Sequence, residues 1–217
     1  VKLIELSNES RELYRAISSM LAGKEVQLDA MLIEDIWVNE FTKNGYLEPL
    51  DGMISFNGSE YHSCIADFAR KDGKLYWYPM ILDTGIMYYR DDMSDGSLDY
   101  RDLTEQNSIS YAVQGTDGEE MLCCAMEFVN LTDSVEEGIK LYKKAIEGSA
   151  VSTNPVNGLL SGDAAYARAW ARESSGITKG YAPASAKVST RVLKKENNES
   201  YATARTYGFA ANAASNK

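Results

Sequence analysis

The stretch from Asp29 to Asp51, DAMLIEDIWVNEFTKNGYLEPLD, constrains the fold of this chain more than any other. Its apolar run Ala30-Met31-Leu32-Ile33 is stopped by Glu34 and Asp35. Trp37 follows at once, and an amphipathic segment closes at Gly45. A fully apolar run over Leu28–Ile33 predicts a strand of the kind that parallel sheets bury on both faces. Ile36–Lys43 predicts a helix, with Gly45 as its C-terminal stop. Ligands of α/β sheets sit outside the carboxyl ends of the strands. A strand that delivers a carboxylate and an indole to its end therefore points to a small-molecule site. The carboxylate accepts hydrogen bonds from hydroxyls, and the indole stacks on the apolar face of a ring.

The rest of the chain extends this pattern. Val1–Leu6 alternates and predicts a short strand. Ser7-Asn8 caps a helix over Glu9–Ala22 that Gly23 ends. The opening order is thus β-α-β-α, and the fold class is α/β with a layered sheet. Asp72-Gly73 predicts a turn, Lys74–Tyr78 and Ile86–Tyr89 predict strands, and Tyr100–Gln106 predicts a short helix. Met121, Leu122, Cys124, Ala125, Phe128 and Val129 form a helical stripe over Glu119–Val129. The next helix starts at Ser134. It carries Glu136 and Glu137 early and Lys140, Lys143 and Lys144 late, the order that complements a helix dipole. Gly162–Arg172, rich in Ala and containing Trp170, predicts a third helix in this half. Arg191–Tyr201 predicts a solvated connection, and Tyr207–Ala211 a last short strand.

Charge narrows the partners. A formal net charge of −10 disfavours nucleic acid and anionic lipid, which need clustered Lys and Arg. No apolar run approaches the ~18–20 residues of a membrane span. The cysteines are Cys64, Cys123 and Cys124, with no CxxC or Cys/His spacing for zinc. Free buried thiols are expected, with a bridge from Cys64 to one of the pair as the alternative in an oxidising compartment. The single histidine, His62, has no nucleophile–base pattern around it. No metal and no cofactor are expected.

Catalytic signatures are missing from the sequence. It holds no G-x-S-x-G elbow, no H-E-x-x-H and no P-loop. The acid pairs Glu34/Asp35, Asp91/Asp92 and Glu119/Glu120 offer no basis for choosing a glycosidase pair. A non-enzymatic binding role is therefore expected. The chain has 14 Tyr, 3 Trp and 5 Phe, and several stand beside acids at predicted strand ends. Asp35 precedes Trp37, Tyr78 is near Asp83, and Tyr88 and Tyr89 adjoin Arg90. Carbohydrates need this mixture of carboxylates and aromatic faces.

These segments carry a resemblance. Asp29–Asp51 is similar to the acidic-Ile-Trp step and following helix of the sugar-binding family of ABC-transporter solute-binding proteins, which includes maltose- and trehalose-binding proteins. GKLYWYPMILDTGIMYYRDD (Gly73–Asp92) resembles the family's first crossing between lobes. YAVQGTDGEEMLCCAMEFV (Tyr111–Val129) resembles its Gln-Gly segment and helix, and SVEEGIKLYKKAI its next helix. LLSGDAAYARAW (Leu159–Trp170) resembles its Gly-x-Ala-Ala element with a Trp behind, and YGFAANAASNK its strand after the second crossing.

The resemblance implies a periplasmic-binding-protein-like fold of two hinged lobes, residues 1–82 with 183–217 and residues 83–182. It implies an extracytoplasmic protein that binds a mono- or oligosaccharide and hands it to an ABC permease. Membrane association would run only through that permease or a lipid anchor outside this chain. By position, Asp35 and Asp83 would accept sugar hydroxyls, and Trp37 would line the cleft or brace Asp35. Trp170 would stack on a sugar ring, Gly208 and Phe209 would lie against the ligand, and Gln114 would be a further polar contact. Ile81 and Phe209 stand where the family often has Tyr and Trp. Family members are roughly twice as long; against them the first strand and the closing C-terminal helices are absent and Met93–Ser110 is short, so the resemblance implies a truncated or internally shortened variant. The alternative is a shortened scaffold of this fold that binds no sugar and acts as an interaction module.

Overall fold

A computed structural model describes residues 2–7, 9–23, 28–96, 102, 111–114, 118–147, 150–152, 154–179, 187–192, 194, 199 and 201–215. The strands are β1 (Ala30–Glu34), β2 (Leu47–Glu48), β3 (Arg70–Lys71), β4 (Lys74–Leu75), β5 (Tyr78–Arg90), β6 (Tyr111–Gln114), β7 (Ala150–Ser152), β8 (Tyr166–Trp170), β9 (Val188–Arg191) and β10 (Ala204–Asn212). The chain divides into two units, Val1–Leu82 with Arg205–Lys217, and Asp83–Ala204.

In the first unit the strand–acid–helix stretch forms as β1 and a helix over Asp35–Lys43. β1 is not part of a parallel ladder. It pairs antiparallel with β10, from Ala30 opposite Ala211 to Glu34 opposite Tyr207. Met31 and Ile33 face the core, while Ala30 and Leu32 are exposed. The run reads as fully buried because its solvent-facing residues are apolar too. Trp37, Val38 and Phe41 anchor the helix in a core with Ile17, Leu21, Ile33 and Trp77. The helix Ser10–Gly23 forms as expected, whereas residues 2–7 hold no strand: Leu6 rests on the core and Leu3 is exposed. Asp72 and Gly73 turn between β3 and β4 with φ of 49° and 79°, a left-handed pair suited to a two-residue hairpin.

In the second unit the strands run in the order β9-β5-β8-β6-β7. β5 is antiparallel to β8 and β9, while β6 is parallel to both β7 and β8. The sheet is covered on both faces, and alternate residues serve the two cores. Met87, Tyr111, Val113 and Tyr166 meet the helices Gly118–Thr132 and Val135–Glu147. Tyr88, Ala112, Ala167 and Ala169 meet the helix Pro155–Ser161.

Two expectations change here. The helix expected over Gly162–Arg172 is instead the central strand β8, buried at all five positions. Alanine favours a helix, but Ala167 and Ala169 are small because a helix packs closely on that face. The strand expected at Lys74–Tyr78 is cut to β4, Lys74–Leu75, and the one expected at Ile86–Tyr89 is part of a longer strand, β5, which begins at Tyr78 and runs unbroken through Pro79 and Gly85. β9 pairs with β5.

The thiols are free, with Cys64 exposed and Cys124 buried. Most of Tyr100–Gln106 and of Arg191–Tyr201 lies outside the described residues.

Candidate functional site

Because β6, β7 and β8 run parallel, their carboxyl ends open on the same edge of the second unit. Each is followed by a segment that brings a polar side chain to that edge. Behind β6, Glu120 sits in the first turn of the helix Gly118–Thr132. Behind β7, Asn154 caps the helix Pro155–Ser161, its Oδ1 accepting the N–H groups of Val156 (3.1 Å) and Asn157 (3.3 Å). Behind β8, a helical turn carries Arg172 and Glu173. These groups, with Val156, Arg168 and Trp170, line a cavity of about 190 Å³. Its position matches the place where open α/β sheets bind ligands.

Trp170 is held rigidly. It is 4% exposed, and its indole N–H donates to the Glu120 carboxylate. The Arg168 guanidinium carbon lies 4.4 Å from the centre of the Trp170 ring. Arg168 in turn grips Glu127 with two parallel bonds of 2.9 and 3.2 Å and reaches Glu120 at 3.4 Å. The Thr203 hydroxyl accepts from Arg168 at 2.7 Å and donates to Glu127 at 2.5 Å. Gly85 makes room for this cluster: a Cβ there would fall 2.5 Å from a Glu127 carboxylate oxygen and 2.8 Å from the Arg168 guanidinium carbon.

A second set of contacts shapes the rim. The Asp83 carboxylate accepts the backbone N–H groups of Thr84 and Arg172, both at 3.1 Å, and pairs with the Arg172 side chain at 3.6 Å. Arg172 also meets Glu173 at 3.5 Å. Tyr88 donates to the Trp170 carbonyl at 3.0 Å. Burial, followed by the charges of Glu173 and Asp83, pushes its phenol up to about 12.

Of the residues singled out in the sequence, Trp170 lines the cavity and Asp83 fixes the turn that carries Arg172. Gln114 ends β6 opposite Ser152, with its side chain outside the described residues. The other four belong to the first unit. Trp37 is a core residue, with ring centres 5.6 Å from Tyr14 and 6.3 Å from Phe41. Asp35 is half-buried beside it, bonded to the Ile36 N–H at 2.8 Å, and burial raises its carboxyl. Gly208 packs so closely that a Cβ would fall 2.5 Å from the Trp77 ring. Phe209 is 47% exposed, opposite Leu32 on the solvent face of the ladder.

Sequence reasoning missed Glu120, Asn154, Arg168, Arg172 and Glu173 as site residues. Asn154-Pro155 carried a signal, since Asn at the cap and Pro at the first helical position mark a helix start. Glu120 was visible only as half of a common acid pair.

No family model matches the sequence. Among solved structures, the chain is similar to maltose-bound MalE3 of T. maritima: TM-score 0.79, 20% identity, 98% of this chain and 64% of that one. It is also similar to UgpB from Mycobacterium tuberculosis in complex with glycerophosphocholine: TM-score 0.78, 19% identity, 99% and 62%. A third is an ABC-transporter solute-binding protein from Agrobacterium vitis with bound D-mannitol: TM-score 0.71, 17% identity, 100% and 62%. The chain spans less than two thirds of the length of each. Its mixed α/β architecture is therefore the periplasmic-binding-protein-like fold of the ABC solute-binding proteins.

Proposed function

We propose that this chain is a non-catalytic sugar-binding protein and that a sugar ring binds against Trp170 in the cavity at the carboxyl ends of β6, β7 and β8. The observation that carries this reading is the locked indole: a buried Trp, fixed by Glu120, lining a cavity of about 190 Å³ at a strand-end edge. Hydrogen-bonding groups of Glu120, Asn154, Arg172 and Glu173 surround that aromatic wall, the combination that polar ring ligands require.

In the same reading Gln114 is a further contact, while Asp83 is a supporting residue that positions Arg172. In the first unit, Asp35 and Phe209 are proposed ligand contacts because both reach solvent. Trp37 braces Asp35, and Gly208 keeps its strand against Trp77. Delivery to an ABC permease and an extracytoplasmic location belong to this proposal, supported by the likeness in fold.

A thermal-shift screen against mono- and oligosaccharides tests it. A ligand at 100 times its Kd stabilises the folded state by about 2.7 kcal/mol, which raises the Tm by several degrees. At least one sugar is expected to do so. A full panel without any shift overturns the reading in favour of a scaffold that binds no sugar.

A further inference from the structure

Tyr88 stands on β5 opposite Ala167 and shares a core with Ala167 and Ala169. It is 1% exposed. A phenylalanine would fill such an apolar place without bringing in a polar atom that needs a partner. The hydroxyl of Tyr88 finds its partners at the end of β8. It donates to the Trp170 carbonyl at 3.0 Å and lies 3.3 Å from the Ala171 carbonyl. A backbone hydrogen bond from Ser174 reaches the same phenol and opposes part of the rise that burial gives it. Asp83, on the same strand, accepts the Arg172 N–H at 3.1 Å.

Two side chains of β5 thus hold the backbone of Trp170, Ala171, Arg172 and Ser174, where the chain turns out of β8. The same short segment carries the Trp170, Arg172 and Glu173 side chains that line the cavity. The bond to Glu120 fixes the indole ring, but it does not fix the path of the backbone that aims Arg172 and Glu173. A binding site whose supporting groups leave it about 1 Å too loose loses function. A turn held before the ligand arrives has less freedom to give up on binding.

We propose that Tyr88 is a positioning residue of the sugar site: its hydroxyl holds the chain as it leaves β8 and so sets Trp170, Arg172 and Glu173 for the ligand. This rests on the sugar-binding reading and adds to it a residue that acts from behind the cavity wall.

Tyr88→Phe tests it, because it removes one oxygen and keeps the ring. With 5-fluorotryptophan in the full chain, the 3 tryptophans give fluorine resonances, and Trp170→Phe identifies that of Trp170. In the sugar-free chain, Tyr88→Phe is expected to shift or broaden the Trp170 resonance and to leave those of Trp37 and Trp77 in place. Isothermal titration with glucose, maltose, N-acetylglucosamine and D-mannitol is expected to show the tightest of them weakened at least about threefold, the worth of one hydrogen bond. Tyr142→Phe is the control, since among the described residues that buried hydroxyl has no hydrogen-bond partner, and it leaves both readouts unchanged. A Trp170 resonance that stays in place, or an affinity equal to the parent's, overturns the role of Tyr88 and leaves sugar binding standing. No heat from any of the four compounds with the parent overturns both. If Tyr88→Phe does not fold, hydrogen exchange of the parent decides. Its Arg172 and Ser174 amides are expected to exchange at least about tenfold more slowly than in a free peptide, and free-peptide rates overturn the held turn.

Discussion

Glu120 and Trp170, fifty residues apart in sequence, meet as a carboxylate and an indole N–H at the carboxyl edge of the second unit's sheet. The helix behind β6 brings the acid, and the last residue of β8 brings the ring. The contact fixes an aromatic wall before any ligand arrives, so little side-chain freedom remains to be lost on binding.

The cluster beneath that wall governs stability. Removing one partner of a buried ion pair leaves an uncompensated charge and costs about 3–5 kcal/mol. Arg168→Met is expected to lower the urea-unfolding free energy by that much, because Glu127 stays fully buried without its guanidinium. The double variant Arg168→Met/Glu127→Leu is expected to recover part of the loss. A single variant that loses less than about 1 kcal/mol removes the cluster from this role.

Neighbouring residues of β10 are expected to behave oppositely. A Cβ at Gly208 would meet the Trp77 ring and the Tyr78 carbonyl, so Gly208→Ala overpacks the first unit and costs about 1–3 kcal/mol. Phe209 is 47% exposed, so Phe209→Ala stays within about 0.5 kcal/mol of the parent. Equal Tm values for the parent and Gly208→Ala contradict the close packing.

The second unit is expected to lose stability in alkali. Burial pushes the Cys124 thiol and the Tyr88 and Tyr142 phenols up to about 12, from ordinary values of 9.0 and 10.0. The folded state therefore holds protons that the unfolded chain has released, and stability falls as pH rises through this range. Their contribution is complete below pH 9 and is lost between about pH 9 and 12. Cys124→Ala is expected to shrink the part of the loss that begins near pH 9, as read by unfolding midpoints at stepped pH. An unchanged pH profile contradicts the assignment.

Local signals carried the first unit well. The acids after Ile33 and the stop at Gly45, with φ of 70°, each act within a few residues. They set β1 and its helix wherever the strand pairs. The direction of pairing was not legible, because Ala30 and Leu32 are apolar on the exposed face and hide the alternation. β8 was misread for the converse reason. Its alanines answer to the closeness of the helix Pro155–Ser161, a tertiary fact, and tertiary packing overrides propensity.

The site suffered most from this limit. Trp170 was found through a resemblance, but Glu120, Asn154 and Glu173 lie on three segments that meet only because β6, β7 and β8 run parallel. Spacing along the chain holds no trace of that meeting.

The most direct test follows tryptophan fluorescence during titration with neutral, acidic and amine-bearing sugars. Trp37 and Trp77 lie in the core of the first unit, while Trp170 lines the cavity of the second. The account predicts a saturable change with at least one sugar in the parent chain, and its disappearance in Trp170→Phe with the fold retained by circular dichroism. A fluorescence change that persists in Trp170→Phe, or none with any sugar, contradicts the claim that Trp170 forms the wall of a sugar site.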